Sequence, residues 1–198
     1  MIFFGHIGIT AGVSKVCEYC ISPQKTGIVQ EHNFLSEIYR LILKIRERLG
    51  RIDYRMVMIG SILPDIIDKP LFLLFSDTVN LSGRDYAHTL LFHIILLTGG
   101  LVLLRYRKSW LLVIALSSAM HLILDQMWGC PETLFWPLLG PLPGADAAGW
   151  VSGRWYSIFT APEAYIPEII GLVILSVFFY RLVKNKQVTE FITSGVIS

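Results

Sequence analysis

Imidazoles and carboxylates stand inside stretches of this sequence that otherwise hold mostly apolar residues. His121 and Asp125 lie four apart in WLLVIALSSAMHLILDQMW. On a helix that spacing puts both side chains on one face, about 6 Å apart along the axis, close enough for two ligands to share one metal. Asp65 and Asp68 lie three apart in GSILPDIID and share a face if that turn is helical. His88 follows GRDYA at the head of another apolar run. His93 is five residues further on, about 140° around the helix; it and His32 read as structural. Neutral imidazoles with carboxylates are the donor set of zinc or a similar divalent ion. Two carboxylates would largely neutralise one such ion, which makes its burial tolerable. The competing reading of His121 and Asp125 is a buried hydrogen bond that ties helices together.

An ion held by three protein groups keeps a position for water and lowers the pKa of that water towards neutrality. It also polarises a phosphoryl oxygen. Asp65 or Asp68 could accept the water's proton. Arg84, four residues before His88, suits a phosphate group; equally, it reads as a headgroup anchor whose stem lies along apolar surface. The expected chemistry is hydrolysis of a phosphoester, and location suggests a membrane lipid as substrate.

These residues need helices in a bilayer to position them. Apolar residues make up 54% of the 198 and charged residues only 16%, against roughly 25% charged in ordinary soluble domains. Mean hydropathy is +0.58. Such a balance excludes disorder, a nucleic-acid-binding surface and most soluble enzymes. Three cysteines cannot close a disulfide framework, and the lone Cys17–Cys20 pair is a weak metal motif. Apolar runs at 88–104, 110–128 and about 163–183 each suit a hydrocarbon core about 30 Å thick. A fourth, 56–75, contains Pro64, Asp65, Asp68, Lys69 and Pro70 and reads as a broken or kinked span. The apolar N-terminus reads as a short or re-entrant helix, and 33–49 as an amphipathic basic helix lying on an anionic membrane face.

The expected fold is therefore all-α: a single polytopic domain over 1–198 with about four spans. Arg51, Arg55, Arg105, Arg107, Lys108, Arg181, Lys184 and Lys186 flank one side of these spans. The positive-inside rule then places both termini in the cytoplasm and the site in the outer half of the cytoplasmic membrane. Residues 129–162, rich in Trp, Gly and Pro, form an outer loop that suits an irregular lid. Glu163 and Glu168 stand at the entry of the last span. Glu168 is a candidate further ligand, with a helix N-terminal acid as its ordinary explanation.

GSILPDIID, GRDYAHTLLFH, HLILDQMW and LFWPLLG, in that order, resemble the bacterial and archaeal membrane-bound metal-dependent hydrolases of the YdjM-like family. The resemblance runs over most of residues 1–140 and includes His6, which precedes the first of these motifs. That family is distantly similar to zinc-dependent phospholipases C and P1-type nucleases. The resemblance implies that His88, His121 and Asp125 hold one metal, that Asp65 bridges to a second, and that His6 helps to hold the second. The soluble enzymes have a further HxxxE/D helix, and no such His follows Asp125 here. Many relatives have PDxD where this chain spaces its acids by three. Three functions follow from the sequence: a metal-dependent membrane hydrolase using one or two divalent ions, an ion-binding transporter, and a non-catalytic membrane scaffold.

Overall fold

The computed structural model describes residues 3–20, 37, 44, 47–75, 78–79, 81–145, 152–153, 156–157 and 159–197. Every regular element among them is helical. The long helices are α1 (Phe4–Cys20), α2 (Tyr54–Phe75), α3 (Leu90–Arg105), α4 (Trp110–Leu124) and α6 (Pro162–Lys184); α5 (Pro131–Leu134) and α7 (Val188–Ser194) are short. The amphipathic helix expected at 33–49 falls outside the described residues, except for Glu37, Lys44 and 47–49, which are helical.

Of the four expected spans, α6 alone among the described helices is long and apolar enough to cross a membrane. Helices α3 and α4 are apolar but have 16 and 15 residues, or about 24 and 22 Å at helical rise. The 56–75 span, expected to be broken or kinked, is one continuous helix. Helix α2 runs 22 residues through Pro64 and Pro70, held by the wholly buried side chains of Tyr54 and Phe72 near its two ends.

Polarity is distributed inside out. Ile94, Ile95 and Val102 of α3, Leu116 and Ile123 of α4, and Ile169, Leu172 and Val173 of α6 are exposed. His6, Ser61, Asp68, His88, Ser118 and His121 are buried. Water would reverse this arrangement; a hydrocarbon solvent permits it, provided that the interior polar groups find one another.

Helix α1 is longer than the sequence suggested, and it lies parallel to α6. Its first amides, those of Phe3 and Phe4, donate to the Glu168 carboxylate at 2.8–3.2 Å. Gly8 then meets Gly171, and Gly12 meets Ile174. A Cβ on Gly8 would collide with the Gly171 carbonyl, and one on Gly171 with the Phe4 carbonyl. The missing side chains are what let the two backbones touch, the close approach that small residues permit where helices cross. Gly60 does the same for α2 on α4: a Cβ there would lie 2.7 Å from the Ile114 carbonyl oxygen.

Beyond α6 the chain folds back, and α7 meets the start of α2. The Tyr54 amide donates to the Gly195 carbonyl (2.8 Å), and Arg55 donates to the carbonyls of Ile192 and Thr193. Lys15 Nζ lies 3.5 Å from the Ile197 carbonyl. Phe3 and Ile197 therefore lie at opposite ends of the α1–α6 pair.

Candidate metal centre

The site is built where α1, α2, α4 and the turn before α3 meet. Asp68 on α2 is wholly buried and gathers that turn. Its carboxylate accepts the backbone N–H groups of Asp85, Ala87 and His88 at 2.8–3.2 Å. Its Oδ2 also lies 2.7 Å from His88 Nδ1. A carboxylate only accepts, so His88 carries its proton on Nδ1 and presents a lone pair at Nε2. Asp85 braces the same turn by accepting from the Ser82 and Gly83 amides.

On α4, His121 Nδ1 lies 2.7 Å from the Ser61 carbonyl oxygen. That contact depends on the close α2–α4 approach at Gly60. A carbonyl also only accepts, so His121 too presents a lone pair at Nε2. The two Nε2 atoms face each other at 3.3 Å. With neutral rings neither has a proton to share, and the contact repels unless a cation lies between them.

Asp65 completes the arrangement. Its Oδ1 is 3.7 Å from each Nε2. A triangle with sides of 3.3, 3.7 and 3.7 Å has a centre about 2.1 Å from every corner, which matches zinc–nitrogen and zinc–carboxylate bond lengths. The other oxygen of Asp65, Oδ2, is held by Lys69 Nζ at 2.5 Å.

His6 lies against this triangle. Its ring stacks on His121, with centroids 3.9 Å apart and planes 18° apart. Both His6 nitrogens are buried without a hydrogen-bond partner. Asp125 Oδ1 comes within 3.1 Å of His6 Nε2, but the contact lacks hydrogen-bond geometry. Asp125 Oδ2 is held by Arg84 at 2.8 Å. Each cluster carboxylate thus gives one oxygen to a cation and turns the other inward. Two overlapping sets have ligand atoms within 4.8 Å of one another: His6, Asp65 and His121, and His88, His121 and Asp125.

The whole chain, residues 1–197, matches the family described as YdjM inner membrane protein. The chain belongs to that family. No curated protein and no solved structure matches it. The family description supplies a membrane and no reaction.

In this YdjM family member, His6, Asp65, His88, His121 and Asp125 lie close together in two overlapping groups. Asp68 does not join them as a catalytic base. Three amides and one imidazole occupy its oxygens, because the three-residue spacing turns it towards the 82–88 turn. It is a positioning residue. His88 lies in that turn (Tyr86–His88) rather than at the head of α3, which brings it level with Asp65. Arg84 reaches Asp125 and lines a cavity, so it is more than a surface anchor. Glu168 caps α1 instead of joining the cluster. His93 is structural: it contacts the Thr89 carbonyl at 2.9 Å and Ser118 Oγ at 3.0 Å. Cys17 and Cys20 are exposed on the last turn of α1, away from the cluster. Two functional partners escaped the sequence reading. Lys69 was detectable as a cation four residues after Asp65 on a helix; the Ser61 carbonyl has no sequence signal at all.

Proposed function

We propose that this YdjM-family chain is a multi-pass inner-membrane protein with a divalent metal centre that hydrolyses a phosphoester. The observation that carries the reading is the pair of Nε2 lone pairs 3.3 Å apart, each ring committed at Nδ1 to an acceptor and both equidistant from Asp65 Oδ1. Among the described residues, with both rings neutral and protonated at Nδ1, no group donates into that contact. Imidazole with carboxylate suits zinc best. His121 has only Nε2 to offer, because its Nδ1 is engaged by Ser61, so the overlapping ligand sets share one ion per chain, centred on the triangle of His88, His121 and Asp65 with His6 and Asp125 beside it.

An anionic substrate suits the guanidinium of Arg84, which meets Asp125 at the edge of the cluster (2.8 Å). When bound, the ion polarises a phosphoryl oxygen and acidifies water. Arg84 orients the phosphate through its planar guanidinium. Asp125 keeps Arg84 in place through its Oδ2. His6 has an unengaged ring nitrogen at the cluster and can move a proton from the incoming water to the departing alcohol oxygen. Overall, water adds to phosphorus, the ester P–O bond breaks, and the alcohol leaves with one proton.

In this reading α2, α3, α4 and α6 all cross the bilayer, the shorter pair through thinned membrane. The basic ends of α2, α3 and α6 face the cytoplasm, and the site opens on the other side. The test is elemental analysis of the detergent-purified protein beside His121→Ala, with phosphodiester hydrolysis followed in parallel. About one zinc per chain and zinc-dependent turnover, both lost in His121→Ala, are expected. Metal-free protein that folds normally would overturn the reading. Ion flux in liposomes without hydrolysis would favour transport instead.

A further inference from the structure

A cavity of about 600 Å³ lies next to the cluster, lined by Ser82, Arg84, Cys130, Glu132, Thr133 and Pro143 among others. Its volume is that of a small-molecule site. Each wall is tied to the candidate metal centre. The Ser82–Arg84 wall is held by Asp85, whose own amide donates to Asp68. The 129–134 wall follows Asp125 through the Met127–Gly129 turn, where Met127 is 1% exposed. The third wall is fixed by the Ala145 amide on the Leu81 carbonyl (2.8 Å). Arg84 belongs to both places: one guanidinium nitrogen meets Asp125, and the residue lines the cavity.

The cavity carries one charge of each sign. Arg84 is the cation of this lining, and it stands on the side of the cluster. Glu132 has no ion-pair partner among the described residues, and it lies in α5, on the wall contributed by residues 129–134. A ligand that satisfies both must present an anion towards the metal centre and a cation away from it. We infer that this cavity takes the head of a phosphoester bearing a cationic amine, with the phosphate at Arg84 and the amine at Glu132. The inference rests on the hydrolase reading for what happens to the phosphate, but not for binding.

Cys130 supplies a native reporter, since it is half-buried in the cavity wall. In a Cys17→Ser/Cys20→Ser background, the rate of maleimide labelling at Cys130 is measured against glycerophosphoethanolamine, glycerophosphoglycerol and inorganic phosphate. The same comparison is made with vesicles of phosphatidylethanolamine and phosphatidylglycerol. Protection by the ethanolamine compounds at about three- to fivefold lower concentration than by the glycerol compounds is expected, the value of one partly exposed charge pair. Glu132→Gln should erase that preference while leaving phosphate protection intact. Protection by the vesicle but not the soluble ester identifies a membrane lipid as the source; protection by both identifies the head alone. Equal protection by amine and glycerol heads, or a preference that survives Glu132→Gln, overturns the inference. If turnover proceeds without such a preference, only this inference falls. If the preference is present but neither metal nor turnover is, the hydrolase reading falls and the cavity assignment stands.

Discussion

Asp68 and His88 are both fully buried, and the Asp68 Oδ2 to His88 Nδ1 distance is 2.7 Å. The carboxylate therefore sets the tautomer and aim of an imidazole whose other nitrogen points at the cluster. Asp68→Asn keeps the shape but halves the acceptor capacity. Zinc affinity, measured against a chromophoric chelator, should fall about 10–100-fold with helix content unchanged. Asp68→Ala strands buried amides at about 1–3 kcal/mol each and should fail to fold. Unaltered zinc affinity in a folded Asp68→Asn protein would remove its positioning role.

The histidines separate into two classes. His88→Ala and His121→Ala should lose bound metal. His93→Ala removes the contacts to Thr89 and Ser118 and should lower thermal stability by about 1–3 kcal/mol while keeping the full metal content. Elemental analysis and melting curves on the three variants check this. Metal loss in His93→Ala alone would place the centre elsewhere.

Helix α1 brings His6 to the site, and its seat is glycine on glycine. Gly8→Ala forces a methyl into the Gly171 carbonyl and should cost about 1–3 kcal/mol by overpacking. Gly12→Ala meets only Ile174 side-chain carbons at 3.4–3.5 Å and should be tolerated. Melting temperatures of the pair in one detergent test the crossing. Equal melting would show that α1 is not seated there.

At the far end, Asp53 holds Arg55 (2.7 Å), which in turn holds the carbonyls that end α7. Burial alone would raise the Asp53 pKa; the Arg55 guanidinium and the amides of Arg55 and Met56 outweigh it and lower it. A depressed carboxyl stabilises the fold above its unfolded pKa of about 3.9 and loses that contribution as pH falls through its folded value. Hydrogen exchange at 188–197, corrected for intrinsic rate, should show constant protection from pH 7 to about pH 4 and loss below it. Loss beginning near pH 6 would assign the clamp to other groups.

Composition and spacing determined much of this protein by themselves. Apolar runs demand a nonpolar surrounding, and an ionisable group inside one demands a partner, so His121, Asp125 and Asp65 were legible as a candidate site from residue types alone. The i, i+4 relation of His121 and Asp125 was legible too, because helix geometry is local. The outcome for Asp68 was not. Whether an acid three residues from Asp65 meets a metal or a turn depends on which segment packs against that face. Nor could the sequence place the chain's two ends, because helix α1 takes its direction from Glu168 and from Gly8 on Gly171, partners more than 160 residues away. Tertiary structure alone decided that the two imidazoles face each other. Their tautomers are set by a carboxylate and a carbonyl on another helix, and such pairings leave no periodic trace in a sequence.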